Sequence, residues 1–260
     1  MKSRFAALLC GLLFAPLVGA QPTPSSATSA APTLSEQWRY SVTPYAWGMG
    51  IRGSVSHNGT SLGHVKLTTG DVLSDLKMAA MLVAEARHGR FGLYLDGVYG
   101  DLGKSASRVV DREDLTASTS LTMTMLTLAP SYNMVNTPAL QLDGLVGARV
   151  MWQSASTNIS LPQFGMSVSE SSNLQLAAGI VGVKGRYNFD NSKYFVPFYV
   201  DVGAGQSSSV TSQAYLGVGR AFDWGDVSLV AKNVYYQFKQ NQSNIDLNMF
   251  GAAIAATFRF

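Results

Sequence analysis

Residues 140–153 read LQLDGLVGARVMWQ, and their side chains fall into two sets with a period of two. Leu140, Leu142, Gly144, Val146, Ala148, Val150 and Trp152 share one face. Gln141, Asp143, Gly147, Arg149 and Gln153 share the other, broken by Leu145 and Met151. Only an extended strand separates such sets, because its successive side chains point to opposite faces.

Comparable segments run along the chain at 38–55, 77–88, 90–103, 115–134, 139–154, 173–189, 194–207, 211–224, 227–240 and 246–260. In 115–134 the phase changes near Leu126-Thr127, which predicts a bulge there; 227–240 alternates less cleanly. Tight links fall at His88-Gly89-Arg90, Val135 to Pro138, Asp190 to Lys193 and Asp223 to Asp226, where Gly, Asn, Asp and Pro supply turn chemistry. Generally longer polar connections lie between them, at 56–76, 104–114, 155–172, 206–210 and 241–245. Thr68 to Leu76 is expected to form a short helical turn capped by Asp71. Short and long connections in alternation describe a meander with turns at one rim and loops at the other, as in outer-membrane barrels.

No segment offers the long apolar run of a membrane helix. A sheet in hydrocarbon must close on itself to satisfy its backbone, with an apolar exterior and aromatics at headgroup depth. Aromatics cluster near the predicted turn rim: Trp38, Tyr40, Phe91, Tyr132, Tyr187, Phe189, Tyr194, Phe222, Trp224, Phe258 and Phe260. Tyr99, Trp152, Tyr236, Phe238 and Phe250 are expected near the loop rim. A soluble sandwich would bury its aromatics between sheets. The predicted fold is therefore all-β: an antiparallel up-and-down transmembrane β-barrel of about ten strands, with eight or twelve as alternatives. A soluble sandwich or lipocalin-like barrel is the competing architecture.

Composition agrees. Of 260 residues, 47% are hydrophobic and 13% charged, too apolar for disorder and too poor in charge for a coiled coil. One cysteine excludes a disulfide framework, and a formal charge of +3 marks no nucleic-acid binder. Lys2 and Arg4 precede an apolar run from Phe5 to Val18 that ends at Val18-Gly19-Ala20. That is the layout of a signal peptide over 1–20; an uncleaved anchor is disfavoured by its shortness and by Pro16. Residues 21–36, rich in Pro, Ser, Ala and Thr, read as a flexible linker, so the barrel is assigned to 37–260.

At the other end Phe250, Ala252, Ile254, Ala256, Phe258 and Phe260 share a face. A terminal aromatic closing such a strand, here Phe258 and Phe260, resembles the signal read by barrel-assembly machinery. Further short motifs are Thr43-Pro44-Tyr45-Ala46-Trp47, Glu85 to Arg90 leading into Leu95-Asp96-Gly97-Val98-Tyr99, Gly185-Arg186-Tyr187, Asp201 to Gly205 and Gln213 to Gly217. With these the chain resembles a family of small, mostly uncharacterised outer-membrane β-barrel proteins of Gram-negative bacteria. Two places depart from it: Ala231-Lys232-Asn233 stands for Gly-Tyr-Arg, and Gly203-Ala204-Gly205-Gln206 for Gly-Gly-Phe-Gly. The resemblance implies fold and a cell outer-membrane location, and no activity.

If the apolar faces meet lipid, Glu85, Arg87, Asp96, Asp143, Arg149, Lys184, Arg186 and Asp201 line the lumen, four of each sign. A cross-linked interior is the expected use of that balance, and a narrow path for ions or solutes the alternative. The three histidines, His57, His64 and His88, come without a nucleophile elbow or metal-ligand spacing. No enzyme, metal or cofactor is expected. The functions consistent with the sequence are a structural or narrow-channel barrel, a surface adhesion protein acting through the long loops, and an outer-membrane hydrolase or lipid-modifying enzyme. Expected partners are outer-membrane lipid, lipopolysaccharide and the assembly machinery, with a monomeric barrel and no nucleic acid.

Overall fold

The computed structural model describes residues 35–58, 60–110, 113–161, 166–205, 209–240 and 243–260. The expected signal peptide and nearly all of the expected linker lie outside them. The strands are β1 (Arg39–His57), β2 (Thr60–Leu67), β3 (Leu76–His88), β4 (Phe91–Val110), β5 (Glu113–Asn136), β6 (Leu140–Leu161), β7 (Met166–Asn188), β8 (Tyr194–Gly205), β9 (Val210–Phe222), β10 (Gly225–Gln240) and β11 (Ser243–Arg259), with one helix, α1 (Thr69–Ser74). Each strand pairs antiparallel with its neighbours, and β11 closes on β1 from Ser41↔Arg259 to His57↔Ser243. Ten strands form the wall; β2 is an extra strand on the outer part of β1. Tyr40 and Phe260 exchange both backbone hydrogen bonds at the turn end of the closing seam.

Three of the expected loops are largely strand. β4 and β5 stay paired out to Val110↔Glu113, and β6 and β7 to Leu161↔Met166, so 104–114 and 155–172 continue as hairpins. Residues 56–76 fold into β2 and α1. The helix begins at Thr68, not Asp71: the Thr68 side chain accepts from the Asp71 amide, and Asp71 returns a bond to the Thr68 backbone as the third residue of a capping box. At the turn rim, Gly89 and Asn191 adopt positive φ (56° and 51°), as tight hairpins require.

The inner and outer faces exchange character along the barrel. In the turn half, inward positions are polar (Asp96, Thr127, Arg149, Gln213, Lys232), while outward Leu93, Leu128, Val146, Val181, Leu229 and Ile254 are exposed. In the loop half, inward Trp47, Met49, Val98, Met125, Met151, Leu176, Val234, Tyr236 and Met249 form a buried apolar cluster, joined by Val72 of α1. There the outer face carries polar contacts: Ser120 with Ser156, Ser154 with Asn173, Asn233 with Asn248, and Tyr235 with Asp246. The barrel is thus membrane-patterned below and patterned like a soluble protein above. Water, unlike lipid, rewards an apolar inside and a polar outside.

That exchange explains three departures from expectation. The phase change at Leu126-Thr127 is no bulge; pairing runs unbroken there, and the register shift sits at Asn133/Val135. Met125 and Thr127 both point inward, and only the polarity of their surroundings changes. Met151, one interruption in the opening stretch, is buried in the loop-half cluster; Leu145, the other, packs inward against the tyrosines of the turn half. Tyr236 and Phe238 belong to the lumen cluster and not to an outer belt. Of the other three expected loop-rim aromatics, Trp152 and Phe250 are exposed and Tyr99 is half-buried; all eleven turn-rim aromatics are exposed. No second layer packs over Val146 or Trp152, as a sandwich would require.

One wall contact is incomplete. β1 pairs with β3 only from Arg39↔Arg87 to Pro44↔Leu82, then with β2 from Ile51↔Leu67 outward. Pro44, which has no N–H to offer, stands where the pairing stops. α1 lies along the gap, and its Thr69 hydroxyl donates to the Gly48 carbonyl (3.2 Å). Most of the gap lies in the water-patterned half, where solvent can serve the open β3 edge. Hydrogen exchange should therefore be roughly tenfold or more faster for seam-facing amides of Leu76–Met81 than for amides of Asp143–Arg149. Equal protection would mean that the seam is paired in solution.

Candidate functional site

All eight charged residues expected in the lumen point into it, because each lies on the inward register of β3, β4, β6, β7 or β8. They are joined there by Arg39, Asp226, Lys232 and Arg259. The even balance of the first eight is therefore not the balance of the site. Lys232 sits in the β10 segment whose alternation was unclear, beside inward Val230 and Val234; apolar neighbours on its own face hid the period.

Four layers can be followed from the middle of the barrel to its turn end. In the deepest, Arg149 donates Nε to Thr127 Oγ1 (3.0 Å) and Nη1 to Asp201 Oδ1 (2.9 Å) and Thr211 Oγ1 (3.2 Å), while Nη2 pairs with Asp201 Oδ2. Arginine and aspartate are both fully buried. Gly182 lies between their strands, where a Cβ would stand 2.4 Å from the Val200 carbonyl oxygen and 2.6 Å from Asp201 Cβ, so only glycine permits the approach. At a similar depth Asp96 accepts from Lys232 Nζ (3.0 Å), Tyr45 Oη (2.7 Å) and Gln213 Nε2 (3.3 Å). Both carboxylates are enclosed by donors, as burial of charge demands.

Next comes a stack of rings across the lumen: Tyr94 to Tyr199 at 5.6 Å and Tyr199 to Tyr215 at 5.4 Å between centroids. The Tyr94 and Tyr199 hydroxyls are buried without a hydrogen-bond partner among the described residues. Below them Arg87 bridges Glu85 and Asp143, Asn133 donates to Asp143 (2.8 Å), and Lys184 pairs with Glu85. At the mouth Arg186 (2.6 Å) and Arg259 share one carboxylate, Asp226. Together the lower layers enclose a chamber of about 530 Å³ that reaches the turn rim at Arg39, Tyr40 and Phe260. Above the charged layers the methionine-rich cluster fills the lumen.

His64 and His88 do not line this chamber. His57 and His64 lie on β1 and β2 in the loop half, where His64 Nε2 is 3.1 Å from the exposed Ser61 hydroxyl, and His88 packs against Trp38 at the turn rim. Among the described residues no cluster of three or more His, Cys, Asp or Glu could hold a metal ion.

No model of a known protein family matches the sequence, and no curated protein does. Solved structures do. The outer membrane protease OmpT of Escherichia coli aligns over 90% of this chain and 100% of its own at 10% identity, with a TM-score of 0.50. The translocator domain of the autotransporter NalP of Neisseria meningitidis (14% identity, 86% and 88% covered) and the transport unit of the E. coli autotransporter AIDA-I (11%, 86% and 89%) give TM-scores of 0.40 and 0.41. At 10% identity the OmpT likeness speaks for the wall and not for what that protein does. The closed ten-stranded wall, with an apolar exterior above an aromatic girdle, makes the chain an outer-membrane β-barrel in fold and in location, and the OmpT likeness agrees with that fold.

Proposed function

We propose that this outer-membrane barrel has a structural role with a sealed lumen, and does not act as a diffusion channel. The observation that carries this reading is the apolar cluster above the charged layers. Trp47, Met49, Met125, Met151, Val234 and Met249 are each no more than 5% exposed, and they meet across the lumen. A dry, packed constriction of that kind opposes ion passage, because an ion inside it would lose its hydration without gaining a partner. A ten-stranded barrel is close to the width that side chains alone can fill. Assembly into the membrane by the barrel-assembly machinery, with Phe258 and Phe260 on the last strand as its signal, is part of the same proposal.

Purified protein in planar bilayers under concentrated KCl should show no discrete conductance steps. Truncating the constriction as Met125→Ala, Met151→Ala and Met249→Ala together should produce them. Steps from the unmodified barrel would refute the sealed lumen and favour the narrow-channel reading.

A further inference from the structure

The turn-side chamber is charged out of proportion to its partners. Arg39, Arg186 and Arg259 stand at its mouth with Asp226 as their one acidic side chain among the described residues. Arg39 makes no ion pair or hydrogen bond among the described residues, and its Nε is buried without a partner. Its charged neighbours are Arg87 and Arg259, both cations. Deeper in, the Glu85, Asp143, Arg87 and Lys184 group and the Asp96–Lys232 pair are internally balanced, so the excess is confined to the mouth.

Behind that mouth the chamber is lined by apolar and aromatic surface: Tyr45, Tyr94, Tyr215, Phe195, Val83 and Val230. Tyr94 is 1% exposed, and its hydroxyl lacks a partner among the described residues. A volume of about 530 Å³ lies within the range of pockets that hold small organic ligands. Guanidinium groups recognise carboxylates and phosphates through paired N–H donors, and aromatic walls accept a flat apolar body.

We infer that this chamber binds a small organic anion from the periplasmic side, its charged group between Arg39, Arg186 and Arg259 and its ring-sized apolar body against the tyrosines. The site rests on the barrel being closed at its wall and open at its turn end. It does not depend on the lumen being sealed above. A neutral molecule of the same shape would leave the arginines without a counter-charge, and an inorganic anion would leave the apolar chamber unfilled.

Fluorine NMR on the barrel in an uncharged detergent tests this with para-fluorobenzoate and, as neutral control, para-fluorobenzamide. Saturable binding of the benzoate, weakened by added NaCl, is expected, with no saturable binding of the amide. Arg39→Gln with Arg259→Gln should weaken the benzoate at least about tenfold, the size of effect from removing charged hydrogen-bond donors. Lys66→Gln, on the exposed part of β2, should leave it unchanged. Absence of saturable benzoate binding, equal binding of the amide, salt-independent affinity, or full affinity in a folded double variant would each overturn the site. Salt response and amide control use the unmodified barrel, so they decide even if the variant does not fold. A silent barrel that fails to bind benzoate sinks this site alone; a conducting one that binds it sinks the sealed lumen alone.

Discussion

Arg149→Ala should cost about 3–5 kcal/mol of barrel stability, the loss typical when one member of a buried ion pair is removed. The variant leaves Asp201, fully buried, without its principal donor, and strips a donor from Thr127 and Thr211 as well. These partners come from β5, β8 and β9, so a single side chain ties four strands together across the lumen. Closed barrels resist detergent until heated, so the effect reads out as loss of the fast-migrating unboiled form on a gel and as an earlier midpoint in urea. Arg149→Met combined with Asp201→Leu should recover most of the loss, because replacing both charges by apolar groups removes the uncompensated one. Full stability in the single variant would show that water or another donor already serves Asp201.

The second large effect tests the exchange of faces. Val146→Arg should destabilise the barrel by about 2–4 kcal/mol in bilayers, as a cation does near the membrane midplane. Ser171→Arg, on the outer face of neighbouring β7 opposite Ser156 and four residues beyond the Trp152 level, should change stability by no more than about 0.5 kcal/mol. Both side chains face outward and both are exposed, so burial alone predicts no difference. Urea titration in lipid vesicles measures both. Equal costs at the two positions would mean that the hydrocarbon reaches further up the wall than the polarity of its outer face indicates.

How far the sequence could be read follows the same boundary. Between the turn rim and Arg149 the alternation is clean apart from Leu145, which packs with the tyrosine stack, since lipid on one side and a charged lumen on the other impose opposite demands. There strand identity, facing and all eight charged lumen residues could be read from single segments. Past Met151 the demands reverse, and the period looks broken although the backbone is regular. Tyr236 and Phe238 were assigned to the outer belt for that reason. Lys232 is hidden by Val230 and Val234 on its own face, and Asp226 reads as part of the Asp223 to Asp226 turn. Asp71 reads as a cap in isolation, and only the fold shows Thr68 taking that place.

By itself the sequence determined a wall of about ten antiparallel strands, which side of most strands faces lipid, and the rim at which the aromatics stand. Those are local properties, written in alternation and in turn residues a few positions apart. The tertiary structure alone decided which charges neutralise one another, where the lumen is blocked, and that Arg39 at the chamber mouth has no partner among the described residues. Those depend on residues such as Arg149 and Asp201 that are separated by strands and meet only when the sheet curls and closes, since curvature brings inward side chains from several strands within hydrogen-bond reach.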